Sequence, residues 1–424
     1  MSFIAVFRTM GRRICDAMLI LIISLLLLEG ALWVLSACNK SVYYLTASPL
    51  SADLPDPILG RRLNPDYPGH DKDGFRNAGV LSRADMVALG DSQTYGTNVS
   101  LQDAWPQQVG MLSGRSVYNL AVPGYGPVQS LVLTPRALDK QPRWVVSALY
   151  DGNDLFDAFH MVYTENLRSE LGSTDAQIVA EINRAQAAES IESVADRLSW
   201  IYGGDFGAHG GGDTDHPSMK IRMVRYFKMH CKSWNAARSI RSIVLQNEVS
   251  TQDSLLSGMV WKSMKKKSRR SSGYWIFFER GNLKTVFMPS YRLLALRLED
   301  SRIREGMRIS EEAMKRMSDA TRQGHADFSI LMIPTKELVY YEALSDTGDA
   351  TIQALGELAH RESAFRARFK QDVCESGIRC IDPLPALSEA VRSGKSPYPM
   401  DSDGHPNRFG QSVIAGVVWH SIHP

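Results

Sequence analysis

A serine hydroxyl becomes a nucleophile when a base takes its proton, a second group orients that base, and N–H donors receive the oxyanion formed on attack. Residues of each type stand beside abrupt turns in this chain. Ser92 follows the apolar run Met86-Val87-Ala88-Leu89 and the pair Gly90-Asp91, so its hydroxyl is expected where a buried strand ends. His405 lies in Asp403-Gly404-His405-Pro406-Asn407, with Asp403 two residues before it. Asp403 is the expected partner of the imidazole in a Ser-His-Asp arrangement, and Asp401 is the alternative. The oxyanion donors are expected from the backbone N–H of Ser92, the backbone N–H of Gly124 and the side-chain amide of Asn153. Taken singly, each block reads as a turn and a helix cap. Together they point to acyl transfer.

The elements that must position these residues follow an α/β pattern. Residues 86–89, 117–122 and 144–150 read as buried strands, separated by helical stretches at 101–113 and 128–140. Each strand stops at a glycine-containing loop: Gly90-Asp91-Ser92, Pro123-Gly124-Tyr125-Gly126-Pro127 and Asp151-Gly152-Asn153-Asp154. Strands alternating with helices give a parallel sheet, which binds its ligands at the carboxyl edge. The pattern resumes with a helix at 307–323, a strand at 328–333, a helix at 350–376, a strand at 378–381 and a last helix from about Phe409. Residues 41–84, rich in Pro, Asp, Gly and Arg, read as a lead-in over the domain surface. They include Leu59-Gly60-Arg61-Arg62 and Asp73-Gly74-Phe75-Arg76-Asn77.

The four blocks, Gly90-Asp91-Ser92, Asn119 through Gly124, Gly152-Asn153-Asp154 and Asp403-Gly404-His405-Pro406-Asn407, resemble those of the SGNH/GDSL hydrolase family. The resemblance covers residues 85–160 and 307–424, about half of the chain. It implies a flavodoxin-like three-layer α/β/α sandwich with a parallel sheet. It also implies a serine esterase or acyltransferase mechanism without metal or nucleotide cofactor, carried by Ser92, Gly124, Asn153 and His405. Two positions depart from the family's pattern. Asp151 stands where the third block usually has glycine, and Ser402 stands where the last block usually has its aspartate. Asp403, two residues before His405, is similar instead to membrane-anchored relatives and to the alginate O-acetylation proteins. Asp91, beside the nucleophile, reads as structural.

The first forty residues differ in kind. Arg8, Arg12 and Arg13 precede an apolar stretch from about Ile14 to Ala37, long enough to cross a bilayer as a helix. The arginines on its amino side, against Lys40 on the other, place the amino terminus in the cytoplasm and the body outside the inner membrane. The length favours an uncleaved anchor over a secretory signal, although Leu35-Ser36-Ala37-Cys38 resembles a lipoprotein cleavage box. Glu29, within the stretch, reads as a side chain near one end that snorkels toward the interface, with an intramembrane contact as the alternative. Cys374 and Cys380 fit a bridge in an oxidising compartment equally as well as two free thiols.

Residues 161–306 read as a mostly helical insertion, with an Ala/Glu-rich helix at 175–200 and a glycine loop from His209 to His216. Residues 219–284 carry fifteen Lys/Arg against three Asp/Glu. Met219, Met223, Phe227, Cys231 and Trp234 recur there at helical spacing, giving one apolar and one basic face. Such a region suits anionic lipid or an acidic polysaccharide; an extracytoplasmic location speaks against nucleic acid. With 44% hydrophobic and 22% charged residues, the chain is neither disordered nor fibrous. The leading expectation is a membrane-anchored serine esterase that removes short acyl groups, acetyl foremost, from an envelope glycan or lipid. An O-acetyltransferase using the same residues and a non-catalytic scaffold of polysaccharide assembly are the alternatives.

Overall fold

In the computed structural model, residues 3–39, 53–67, 69–194, 231–237 and 275–423 are described, with Val42, Thr46 and Trp261. The His209–His216 loop, the positions Met219, Met223 and Phe227, and most of the basic stretch lie outside them. The chain divides into two units, one of Met1–Asp53 with Gly212–Asn247, the other of Leu54–Gly211 with Glu248–Pro424.

The first unit contains α1 (Phe3–Cys38). Within it, the 23-residue segment Asp16–Cys38 contains an 18-residue stretch of mean hydropathy 2.6, long and apolar enough to cross a membrane. Glu29 of this helix is hydrogen-bonded. Its carboxylate accepts the backbone N–H groups of Lys232 at 2.6 Å and Ser233 at 2.9 Å, and the Trp33 indole N–H at 3.2 Å.

The second unit runs in order through β1 (Asp53–Asp56), β2 (Gly60–Leu63), β3 (Met86–Leu89), α2 (Ser92–Tyr95), α3 (Trp105–Ser113), β4 (Val117–Asn119), α4 (Pro127–Leu138) and β5 (Trp144–Tyr150). Then follow α5 (Asp154–Tyr163), α6 (Ala176–Ala188), β6 (Ile276–Arg280), β7 (Leu283–Phe287), α7 (Pro289–Ala295) and α8 (Ser301–Gln323). The last elements are β8 (Asp327–Ile333), α9 (Lys336–Leu344), α10 (Ala350–Gln353), α11 (Gly356–Phe369), β9 (Arg379–Ile381), α12 (Leu384–Arg392) and α13 (Arg408–Ile422). The central sheet has the order β4-β3-β5-β8-β9, and every pairing in it is parallel.

Why these strands are apolar throughout follows from what covers them. All seven residues of β5, Trp-Val-Val-Ser-Ala-Leu-Tyr, are buried, as expected for a parallel strand with helices on both faces. Successive side chains divide between two cores. Val87, Leu89, Val145, Leu149, Ile330 and Met332 pack with Val128, Leu155, Phe159, Met307, Met314 and Phe365 of α4, α5, α8 and α11. Met86, Ala88, Val146, Ala148 and Leu331 pack instead with Trp105, Val109, Tyr340, Val391, Ile414 and Val418 of α3, α9, α12 and α13. The close approach of α8 to α5 depends on Gly306, where a Cβ would lie 1.9 Å from the Leu155 carbonyl oxygen.

Several boundaries differ from the sequence reading: the strand expected at 117–122 ends at Asn119, where the chain turns off toward the Gly124 loop, and the helix expected at 175–200 ends at Ala188. Helix α8 begins at Ser301 because Asp300 caps it, accepting the Arg302 N–H at 2.9 Å. The expected 350–376 helix is divided into α10 and α11. The expected helical insertion contains the antiparallel pair β6–β7, joined by the two-residue Gly281-Asn282 loop, a pair whose glycine suits a tight hairpin.

Candidate active site

The turn that carries Ser92, the expected nucleophile, is built by sterics. Gly90 has φ 146°, and a Cβ there would lie 2.7 Å from Thr94 Oγ1 and 3.0 Å from Ala148 Cβ. Only glycine lets the chain leave β3 this sharply. Asp91 then caps α2, its carboxylate accepting the Gln93 N–H at 2.9 Å. Burial pushes the Asp91 carboxyl up to about 6, against the Gln93 hydrogen bond and the nearby His405. Its role in the geometry is a cap. Arg76, from the lead-in, donates to the carbonyls of Tyr95 at 2.8 Å and Val99 at 2.6 Å, so the turn is braced from behind.

The expected base and its orienting acid come from the loop before α13. His405 Nε2 lies 2.7 Å from Ser92 Oγ, and His405 Nδ1 lies 2.6 Å from Asp403 Oδ1. The same carboxylate oxygen accepts the His405 backbone N–H at 2.8 Å, which fixes the two-residue spacing as a closed turn. Burial disfavours the charged forms of both partners. Their mutual attraction outweighs it, so Asp403 is held well below the usual carboxylate range and His405 is raised above the ordinary imidazole value. The Asn98 side chain beside Asp403 lowers it further. Asp401 instead accepts the Asp403 backbone N–H at 3.0 Å. The structure therefore joins Ser92, His405 and Asp403 in one relay, with Asp401 outside it.

This loop is held by a lysine that sequence reasoning passed over. Lys336, at the start of α9, is buried, and its Nζ donates to the carbonyls of Asp401 at 3.0 Å and Asp403 at 2.9 Å. Burial lowers its pKa. On the other side, the Asp401 carbonyl accepts the Val286 N–H of β7 at 3.3 Å and the Thr285 hydroxyl at 3.4 Å. No local pattern signals this, because the contacts join residues 65 or more positions apart.

The expected oxyanion donors stand on neighbouring strand ends. The Val122 N–H donates to the Gly90 carbonyl at 3.1 Å, tying the second loop to the Ser92 turn. Asn119 adds a second tie, its side-chain N–H₂ donating to the Thr94 carbonyl at 3.0 Å. Among the described residues the N–H groups of Ser92 and Gly124 take no hydrogen-bond acceptor. Asn153 opens α5 beside Asp154, whose carboxylate accepts the Tyr150 N–H at 2.8 Å and so closes the turn. The Asn153 Nδ2 donates to Asp157 Oδ2 at 2.8 Å, while its Oδ1 is buried without a partner. Burial, reinforced by Asp91, pushes the Asp157 carboxyl up to about 7.

Asp151, the departure in the third block, is fully buried and ion-paired with Arg366. Arg366 also reaches Asp382 at 2.6 Å. Glu362 beside them accepts the Thr335 N–H at 2.8 Å. Burial raises Glu362 well above the carboxylate range, with the Asp151 charge adding to it. Asp151 thus anchors the loop that presents Asn153. Cys374 and Cys380 form a disulfide. Compared with models of known protein families and with curated proteins, the chain matches none.

Proposed function

We propose that this protein is a membrane-anchored serine esterase of the SGNH/GDSL type, removing short acyl groups from an envelope glycan or lipid. The observation that carries the reading is the continuous relay Ser92 Oγ–His405–Asp403, at 2.7 and 2.6 Å, on the sheet edge. The strand order supports a flavodoxin-like sandwich, with Ser92 after β3 and Asn153 after β5 at the point where the winding reverses. The apolar Asp16–Cys38 stretch supports the anchor. The Cys374–Cys380 bridge supports an extracytoplasmic, oxidising location for the second unit.

In this mechanism His405 Nε2 takes the Ser92 proton as Oγ attacks the ester carbonyl, and Asp403 holds the Nδ1 proton and the imidazolium that forms. The carbonyl oxygen becomes an oxyanion received by the N–H groups of Ser92 and Gly124 and by Asn153 Nδ2. Collapse expels the alcohol, which takes its proton from His405, and water then releases the acid by the same steps. Full-length protein in detergent is assayed on p-nitrophenyl acetate and labelled with a fluorophosphonate, with and without Ser92→Ala. Ser92-dependent turnover and labelling are expected; their joint absence would remove the esterase reading. Adding oligosaccharide acceptors then distinguishes water from a sugar hydroxyl as the second nucleophile.

A further inference from the structure

The lead-in segment contributes an arginine to the loop that carries Gly124. The Arg61 guanidinium, from β2, donates to the carbonyl of Pro123, and Tyr125 returns a hydroxyl hydrogen bond to the Arg61 carbonyl. The Pro123 carbonyl and the Gly124 N–H belong to one peptide unit. That unit is planar and trans, so its C=O and N–H point in opposite directions. A donor that grips the carbonyl aims the N–H to the far side and polarises it, because hydrogen bonds in a chain strengthen one another. Asp157 does the corresponding work for the other loop. Its carboxylate takes one proton of the Asn153 amide, which leaves the second free and fixes which end of the amide is the donor. Asp157 also lies against the Gly124 loop, with its Cβ 3.3 Å from where a Gly126 Cβ would be.

We propose that Arg61 and Asp157 are positioning residues that jointly set the oxyanion site, Arg61 through the Pro123–Gly124 peptide and Asp157 through the Asn153 amide. The inference rests on the serine mechanism proposed above. The two residues are electrically coupled: the Arg61 charge favours the Asp157 carboxylate, which burial and the charge of Asp91 oppose. Asp154, on the same helix and itself pushed well above the carboxylate range, is the remaining acid that feels Asp157. With its carboxyl near 7, Asp157 is ionised on the alkaline side, where it is the stronger acceptor for Asn153. Below that range the amide is held less firmly.

The test uses the full-length protein in detergent, with Arg61→Ala, Arg61→Lys, Asp157→Ala and Asp157→Asn. Removing an oxyanion donor costs about 10²–10³ in kcat, and loosening one is expected to cost about 10–100-fold. Arg61→Ala and Asp157→Ala should therefore lose kcat on p-nitrophenyl acetate with KM unchanged. Arg61→Lys, which keeps a cationic donor, should recover part of the loss. Asp157→Asn keeps an acceptor and should retain most of kcat at alkaline pH. Its pH profile should also lack the shallow extra step that protonation of Asp157 adds to the parent's acid limb, leaving the limb set by His405 alone. Ser92-dependent fluorophosphonate labelling with kcat unchanged in both alanine variants would overturn this inference alone. Absence of Ser92-dependent labelling in the parent would overturn it together with the serine mechanism.

Discussion

Replacing Asp403 by Asn separates two jobs that an acid behind a histidine performs. One carboxylate oxygen accepts both the His405 ring N–H and the His405 backbone N–H, at 2.6 and 2.8 Å. An asparagine that turned its N–H₂ toward His405 would oppose that backbone donor, so its oxygen should stay in place and the tautomer should be kept. What is lost is the charge facing the imidazolium. The two side chains are 14% and 26% exposed, so an effective dielectric near 20 applies, and charges about 4 Å apart then interact by about 4 kcal/mol. That corresponds to a fall in kcat of about 10³-fold. Because the Asp403 charge raises the His405 pKa and neutral His405 is the base, the acid limb of kcat/KM should move to lower pH. The deficit should accordingly narrow as the pH falls. Asp401→Asn, which removes a group outside the relay, should change kcat several-fold at most. Stopped assays of p-nitrophenyl acetate hydrolysis across the pH range measure all of this. An Asp401→Asn loss equal to that of Asp403→Asn, or an acid limb that stays in place, would refute the assignment.

Two further substitutions test the supports. Lys336→Met removes the amine that holds the Asp401 and Asp403 carbonyls; a loss of about 1–3 kcal/mol in chemical unfolding is expected, with kcat reduced. Arg366→Ala leaves Asp151 buried and unpaired, which should cost about 3–5 kcal/mol. A thermal midpoint equal to the parent's would show that the pair does not hold the Asn153 loop.

The candidate site was legible where it is local. Ser92, Asn153 and Asp403-Gly404-His405 stand at turns whose glycines and acids cap the adjoining elements, so composition and spacing mark them. The apolar strands were legible because burial on both faces leaves no polar position in β3 and few in β5. What escaped is long-range. Lys336, Arg366, Asp157 and Arg61 look like ordinary charges on helices or in a lead-in, and only the fold brings them behind the site. The hairpin β6–β7 was masked by its setting, since charge dominates the surrounding sequence while its inward-facing Phe278, Leu283, Val286 and Phe287 are few. The choice of Asp403 over Asp401 could be posed from sequence, but hydrogen-bond geometry was needed to decide it.

The stitching of Asp401 to β7 changes what counts as the smallest working piece of this chain. Judged by the four blocks alone, residues 161–306 look removable. Yet the loop bearing His405 hangs between Lys336 on one side and Thr285 and Val286 on the other. Met288, directly after β7, donates its N–H to Glu337 at 3.0 Å, beside Lys336. An excised version lacking Leu283–Phe287 would keep every block residue and lose the frame that aims the imidazole. Any minimal version of the protein has to keep that strand.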